Sequence, residues 1–367
     1  MKFIAIMTFL AGSLSAGENL TALKSDEQIV LYPSVATRVS GSSNLWRTQI
    51  RGRVFEPERR RLLVAAFSEA LELKTDELTA AESVVFAERA RLFLVDHERG
   101  KRVFIRLGTN EFFVGKSSAD GRFGAIAVFN GRDAFNRVPN HSPEDGDVVE
   151  HVPTSISFAA ALPNADERRF AGLIFPLEAE GVSVISDIDD TIKITEVRDK
   201  QATLRNTFLR EFRAVPGMAD FYQRLARSNQ AAFHYISASP WQLYEPLNAF
   251  VASNGFPAGT FELKEFRWKD RSFFSLFASP EKYKPGVIAP LLKEFPRRKF
   301  ILIGDSGERD PEIYGAVARK FPEQILRIYI RDVTNEPGNA ARYQEAFRGV
   351  PRERWQVFLE PGEVRLP

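Results

Sequence analysis

Apolar and polar positions alternate along this chain with two different periods, and the change falls near residue 180. Upstream, apolar residues recur roughly every second position in Trp46–Phe55, Ala90–Val95, Arg102–Leu107, Gly124–Phe129 and Ser155–Phe158. Period two puts successive side chains on opposite faces, so these segments read as half-buried strands. His97–Gly100, Ala119–Gly121 and Asn140–Pro143 separate them as turns. Short strands punctuated in this way predict a mainly β domain, a β-sandwich, over residues 18–178. Residues 57–86, rich in Ala and acids, interrupt it with helical spacing.

From Val182 the pattern changes. Continuous apolar runs at Val182–Ser186, Ala232–Ile236, Lys299–Ile303 and Ile325–Ile330 read as buried strands. Between them Gly217–Arg227, Gln242–Ser253, Gly286–Glu294 and Glu312–Lys320 carry apolar residues at helical spacing. Pro216, Pro240, Pro285 and Pro311 stand near expected helix starts, and Asn254-Gly255 near a helix stop. Strands alternating with helices predict an α/β domain with a doubly wound parallel sheet over 179–335. A less regular tail, 336–367, is expected to dock on the body through Trp355 and Phe358.

Composition narrows the function classes. The chain has 367 residues and 50 basic against 48 acidic side chains, a net charge of +2 that gives no support for a nucleic-acid partner. Cysteine is absent, which excludes disulfides, thiolate catalysis and thiolate metal sites. Lys2 precedes an apolar run from Phe3 to Leu10 and then small residues, the form of a signal peptide over 1–17. Export to the periplasm or the exterior is the expectation.

Four motifs fall at predicted strand or helix ends. The first apolar run ends in Asp187-Ile-Asp189-Asp190-Thr191. Like charges crowded at a buried strand tip repel and lose solvation, a conflict that a shared cation resolves. The second is Tyr235-Ile-Ser237-Ala-Ser239, and the third is Tyr283-Lys284-Pro-Gly286. A lysine at a predicted helix start opposes the helix dipole, which points to an anionic partner such as phosphate. The fourth is Gly304-Asp305-Ser-Gly-Glu-Arg-Asp310. A calcium EF-hand reading of the first motif fails, since Ile192 stands where the turn glycine is needed. A Ser-His-Asp hydrolase is also disfavoured, because His234, nearest the motifs, lies inside a predicted strand and reads as a packed histidine.

In these four motifs the chain resembles the haloacid-dehalogenase (HAD) superfamily of phosphotransferases. More narrowly, Ile185–Lys193, Tyr235–Tyr244, Tyr283–Gly286 and Ile303–Glu312 resemble the catalytic domain of actin-patch-protein type phosphatidate phosphatases. The resemblance implies a HAD-like, Rossmann-like sheet and hydrolysis of a phosphate monoester, with phosphatidate as the leading substrate. It implies Asp187 as nucleophile and Asp189 as general acid–base, with Mg2+ held by Asp187, Asp189 (through its backbone carbonyl), Asp305 and Asp310. Ser237, Lys284 and Thr191 would bind phosphate, with Thr191 also tethering the Asp189 loop. Two other readings stay open: a HAD phosphomonoesterase on a soluble ester, and a surface-binding protein with a vestigial catalytic domain. Phe266–Phe277 mixes five aromatics with Arg267, Lys269 and Arg271, which suits either packing beneath a loop or a peripheral membrane contact.

Overall fold

The structure is a computed structural model that describes residues 20–57, 61–71, 73, 75–135, 152, 154–266 and 280–367. The expected signal segment, the turn at 140–143 and residues 267–277 of the aromatic segment lie outside the described residues. The chain divides into two compact units, one of residues 1–58 and 95–178, the other of residues 59–94 and 179–367.

The first unit opens with strands β1 (Gln28–Tyr32), β2 (Ser34–Arg38) and the long β3 (Leu45–Pro57). Two helices of the second unit follow, α1 (Arg61–Ala70) and α2 (Ala80–Phe93). The first unit resumes with β4 (Val95–His97), β5 (Arg102–Leu107), β6 (Asn110–Lys116), β7 (Arg122–Asn130), a short α3 (Gly131–Ala134), β8 (Ile156–Ala160) and β9 (Ala171–Leu177). In β3 the residues Trp46, Thr48, Ile50, Gly52 and Val54 are buried, and the period-two pattern holds from Leu45 to Val54. That strand pairs antiparallel with β1, β2, β4 and β7. Through it the nine strands join into one hydrogen-bonded set rather than two separately bonded sheets. Their inward residues form a single core around Trp46, Ile50, Ile105, Val114 and Ile174.

Most of the expected strand at Ala90–Val95 is instead the end of α2, with only Val95 entering β4. Thr79 and Glu82 form a capping box that starts this helix, and Val85, Phe86, Arg89, Ala90 and Phe93 are buried at spacings of three and four. Segment 59–94 therefore leaves the β unit to which the sequence pattern assigned it and joins the second unit.

The second unit continues with β10 (Val182–Asp187), α4 (Lys200–Leu204) running into a π-helical turn at Arg205–Leu209, α5 (Met218–Asn229), β11 (Ala232–Pro240), α6 (Tyr244–Ser253) and β12 (Gly259–Lys264). Then come α7 (Pro280–Glu294), β13 (Lys299–Asp305), α8 (Asp310–Lys320), β14 (Ile325–Arg331), α9 (Ala341–Ala346) and β15 (Trp355–Phe358). Six strands lie in the order β12-β11-β10-β13-β14-β15, every neighbouring pair parallel. The chain winds outward from β10 to β12, then returns to β13 on the other side of β10. Strand order reverses between β10 and β13, the place where ligands bind in open parallel sheets. The tail contributes β15 as an edge strand, with Trp355 and Phe358 buried.

Lys284 departs from expectation in its local setting. Helix α7 starts at Pro280, not Gly286, so Lys284 lies inside it and Pro285 is an interior proline. The helix-end argument for its partner thus falls, although the residue proves to face anions.

Trp46 is fully buried and meets Phe135 edge to face at 5.6 Å. Replacing it with Ala is expected to destabilise the β unit by about 3–5 kcal/mol. Urea unfolding would show this as a lowered midpoint, and an unchanged midpoint would refute the placing of Trp46 at the centre of this core.

Candidate active site

Strand β10, buried from its second residue onward, carries the first carboxylate at its tip. Ser183 to Ser186 are inaccessible to solvent, and Asp187 at the tip is 1% exposed. Beyond it the chain turns sharply at Asp190, whose φ of 55° lies in the left-handed region. The Asp190 carboxylate accepts hydrogen bonds from the backbone N–H groups of Thr195, Glu196 and Val197, at 2.7–2.8 Å. Asp190 is the brace of the loop.

Asp187, Asp305 and Asp310 come together at the tips of β10 and β13 and the start of α8, all buried, with carboxylate oxygens within 4.8 Å of one another. Lys284 lies against them: its Nζ is 2.8 Å from Asp187 Oδ1, 3.2 Å from Glu308 Oε2 and in contact with Asp310 Oδ1. Thr191 Oγ1 donates to Asp187 Oδ2 at 2.9 Å and to Asp305 Oδ2 at 3.4 Å. Its hydroxyl orients the nucleophile candidate and does not point the site at phosphate by itself.

Asp189 occupies a separate cradle. Lys193 Nζ meets its Oδ1 at 2.8 Å, and the Thr195 hydroxyl donates to the same oxygen at 2.8 Å. Ser237 and Ser239 hydroxyls donate to Oδ2 at 2.7 and 3.0 Å. Both serines lie on the extended end of β11, where the register against β12 shifts between Ser237 and Pro240. Ser237 is therefore engaged with Asp189, and the Asp189 carboxylate is not part of the three-carboxylate group.

The two aspartates consequently differ in character. Burial pushes the Asp187 carboxyl up to about 7, with Lys284 opposing and Glu308 and Asp189 adding repulsion. Burial would raise Asp189 as well, but Lys193 and the hydrogen bonds from Ser237 and Thr195 bring it down to about 2. Asp305 is raised well above the carboxylate range by burial, Asp310 and Asp187. Asp310 is raised to about 6 by burial, against Lys284. Lys284 keeps its charge despite burial, because Asp187, Asp310 and Glu308 surround it.

Four buried or nearly buried carboxylates thus face one ammonium. A divalent cation would remove most of the excess negative charge. The donors are all hard oxygens, with no nitrogen or sulfur ligand among them, which suits Mg2+ or a similar hard ion rather than zinc. Asp187, Asp305 and Asp310 are the residues that would hold it.

The fourth motif depends on a close approach. A Cβ added at Gly304 would lie 2.2 Å from Asp310 Oδ2, so only glycine lets this carboxylate lie over the strand end. From α9, Arg342 donates to the carbonyls of Ser306 and Glu308 and pairs with Glu312 at 3.0 Å. It pins the loop that carries Asp305, Glu308 and Asp310.

All seven residues expected from sequence are thus buried in the second unit, distributed between the two carboxylate settings. Glu308, Lys193, Thr195, Ser239, Gly304 and Arg342 received no role from sequence reasoning. Lys193, Ser239, Gly304 and Glu308 were within reach, since they stand inside the motifs. Arg342 gave no signal, being 36 residues beyond Ser306 on an irregular tail.

Residues 182–332 match the family model described as the catalytic domain of phosphatidate phosphatase APP1. Over this segment the chain is similar to APP1-type catalytic domains. The chain is 40% identical over 169 residues to phosphatidate phosphatase APP1 of Saccharomyces cerevisiae, a match covering 45% of this chain and 28% of that protein. It is 33% identical over 164 residues to an uncharacterised protein of Schizosaccharomyces pombe, covering 44% of this chain and 26% of that one. The chain therefore spans little more than a quarter of the length of these curated relatives. A crystal structure of a candidate β-phosphoglucomutase from Thermotoga maritima aligns at 12% identity with a TM-score of 0.28, over 49% of this chain and 95% of that one. That likeness is too slight to carry an argument. Helices α1 and α2, β15 and Arg342 lie outside the family-matched segment, and all belong to the same compact unit.

Two outcomes follow from the carboxylate cluster. Gly304→Ala displaces Asp310 and is expected to weaken Mn2+ binding at least about tenfold, each factor of ten being about 1.4 kcal/mol. Calorimetric titration reads this directly, and unaltered affinity would separate Gly304 from the site. The second concerns pH. Raised carboxyl groups mean that the metal-free native state holds protons the unfolded chain releases, so its stability falls as pH rises from about 4 to about 7. Metal binding displaces those protons and is favoured in the same direction. The rise in Tm caused by saturating Mg2+ should therefore be larger near about pH 8 than near about pH 5.5; an equal rise at both would contradict this account.

Proposed function

We propose that this protein is a Mg2+-dependent phosphatidate phosphatase that releases diacylglycerol and phosphate through an aspartyl-phosphate on Asp187. The observation that carries the proposal is the convergence of Asp187, Asp305, Asp310 and Lys284 inside the segment matched to the APP1 catalytic family. The strand order and the order of the motifs support reading the unit as HAD-like. A bound divalent cation would neutralise phosphate charge and polarise the phosphoryl group.

The chain's own groups divide the remaining work. Asp187 Oδ attacks phosphorus, the P–O bond to the lipid alkoxide breaks, and Asp189 in its acid form gives that alkoxide a proton. Water then attacks the phosphorus, Asp189 takes its proton, and the bond to Asp187 breaks. The structure supports the base form, since four donors surround the Asp189 carboxylate. Proton donation in the first step requires that carboxyl to be protonated and to leave this cradle as substrate enters. Lys284 already faces anions at the Asp187 tip and suits a phosphate oxygen there.

Phosphatidate is held in a bilayer, so a peripheral membrane contact belongs to the proposal, and the basic aromatic segment 266–277 supports it. Export rests on residues 1–17. N-terminal sequencing of protein recovered outside the cytoplasm checks it: a chain still beginning at Met1 would count against cleavage.

The decisive assay is phosphate release from phosphatidate in mixed micelles, with Mg2+ or with EDTA, for wild type and Asp187→Asn. Release with Mg2+ only, reduced at least about a thousandfold in the variant, is expected for loss of a covalent nucleophile. Mg2+-dependent release from p-nitrophenyl phosphate but none from phosphatidate would keep the chemistry and reject the lipid.

A further inference from the structure

The cradle around Asp189 extends beyond the family-matched segment. Lys193, 1% exposed, is ion-paired with Asp189 and hydrogen-bonded to Thr195. Its ammonium also lies 4.8 Å from the centre of the Phe212 ring. The same ring carries a second cation: the Arg89 guanidinium carbon is 3.8 Å from its centre. Arg89 comes from α2, more than a hundred residues upstream of Phe212 in the chain.

The helical hairpin of α1 and α2 is anchored elsewhere without Arg89. Phe67 and Phe93 pack against Phe208 in the π-helical turn, at 5.8 and 5.6 Å, and Phe93 meets Phe266 at 6.0 Å. Glu82 caps α2 and pairs with Arg205 at 2.8 Å. Against this background a buried arginine is costly. Arg89 is 6% exposed, donates to the Thr207 carbonyl at 3.3 Å, and has as its carboxylate partner Glu211, 3.8 Å away with a side chain 78% exposed. An apolar residue would anchor the helix at lower cost. What the guanidinium supplies is a planar cation on Phe212, fixing the ring on which the Lys193 ammonium rests.

We propose that the α1–α2 hairpin is part of the catalytic apparatus, and that Arg89 is a positioning residue that holds Asp189 through Phe212 and Lys193. The inference rests on the phosphatase reading above. It assigns the hairpin to one step: breakdown of the aspartyl-phosphate, where Asp189 takes the proton from water as the P–O bond to Asp187 breaks. Leaving-group departure from p-nitrophenyl phosphate needs no proton, because p-nitrophenolate is stable, so formation of the intermediate from that ester does not use the cradle.

The test is rapid-mix kinetics with p-nitrophenyl phosphate and Mg2+ on the full chain, comparing wild type, Arg89→Ala and Phe212→Leu. The ratio of the first-turnover rate of p-nitrophenol release to the steady-state rate is expected to rise about tenfold in both variants, a part of the roughly hundredfold or more that a positioned acid–base group contributes. Acid-quenched phosphoprotein should rise with it. An unchanged ratio, whether turnover is normal or lowered in both phases, would overturn the proposal, since general loosening of the fold slows both phases together. Phe212→Leu keeps the test decisive if Arg89→Ala does not fold. Absence of p-nitrophenol release by wild type would overturn this inference, and absence of phosphate release from phosphatidate as well would overturn the phosphatase reading.

Discussion

Like charges forced together out of water set the terms for the second unit. Asp187, Asp305, Asp310 and Glu308 crowd one lysine at the end of a buried parallel sheet. Carboxylates in such a setting either hold protons or share a cation. Asp187 and Asp310, pushed up to about 7 and 6, show the first response in the metal-free chain. A hard divalent ion is the second.

The surrounding backbone is shaped by the need to hold that arrangement. Asp190 takes a left-handed turn and binds three successive N–H groups, which closes the loop after the first strand tip. Gly304 leaves room for Asp310, and Arg342 ties down the carbonyls between Asp305 and Asp310. None of these touches a reacting atom. Each converts a locally strained or repulsive geometry into a fixed one, which is how a site keeps polar groups at reacting distance without relaxing away from them.

Two aspartates, separated by one residue, are driven to opposite behaviour by their neighbours. Asp187 shares its lysine with other carboxylates and resists ionisation; Asp189 has a lysine and three hydroxyls to itself and stays charged. Environments that push two carboxyl groups apart are the usual basis for dividing nucleophilic and acid–base roles. The hairpin formed by α1 and α2 reaches this second environment through Arg89 and Phe212, so the surroundings of Asp189 extend beyond the segment matched to the family model.

The parallel α/β unit and its central strands were legible in the sequence, and so was the placing of seven residues at strand and helix ends, because buried strands are near-continuous apolar runs and acids at their tips break that pattern. The period-two strands at Trp46–Phe55, Arg102–Leu107, Gly124–Phe129 and Ser155–Phe158 were legible for the same reason. Ala90–Val95 was not, since six residues of mixed pattern fit a strand or a helix end, and the capping box at Thr79 and Glu82 decides between them. Tertiary structure alone decided that segment 59–94 leaves the β unit, that Lys284 lies inside a helix, and that Ser237 binds Asp189. It alone brought Arg89 and Arg342 to the site. These are contacts between residues far apart in the chain, and local periodicity carries no information about which distant surfaces meet.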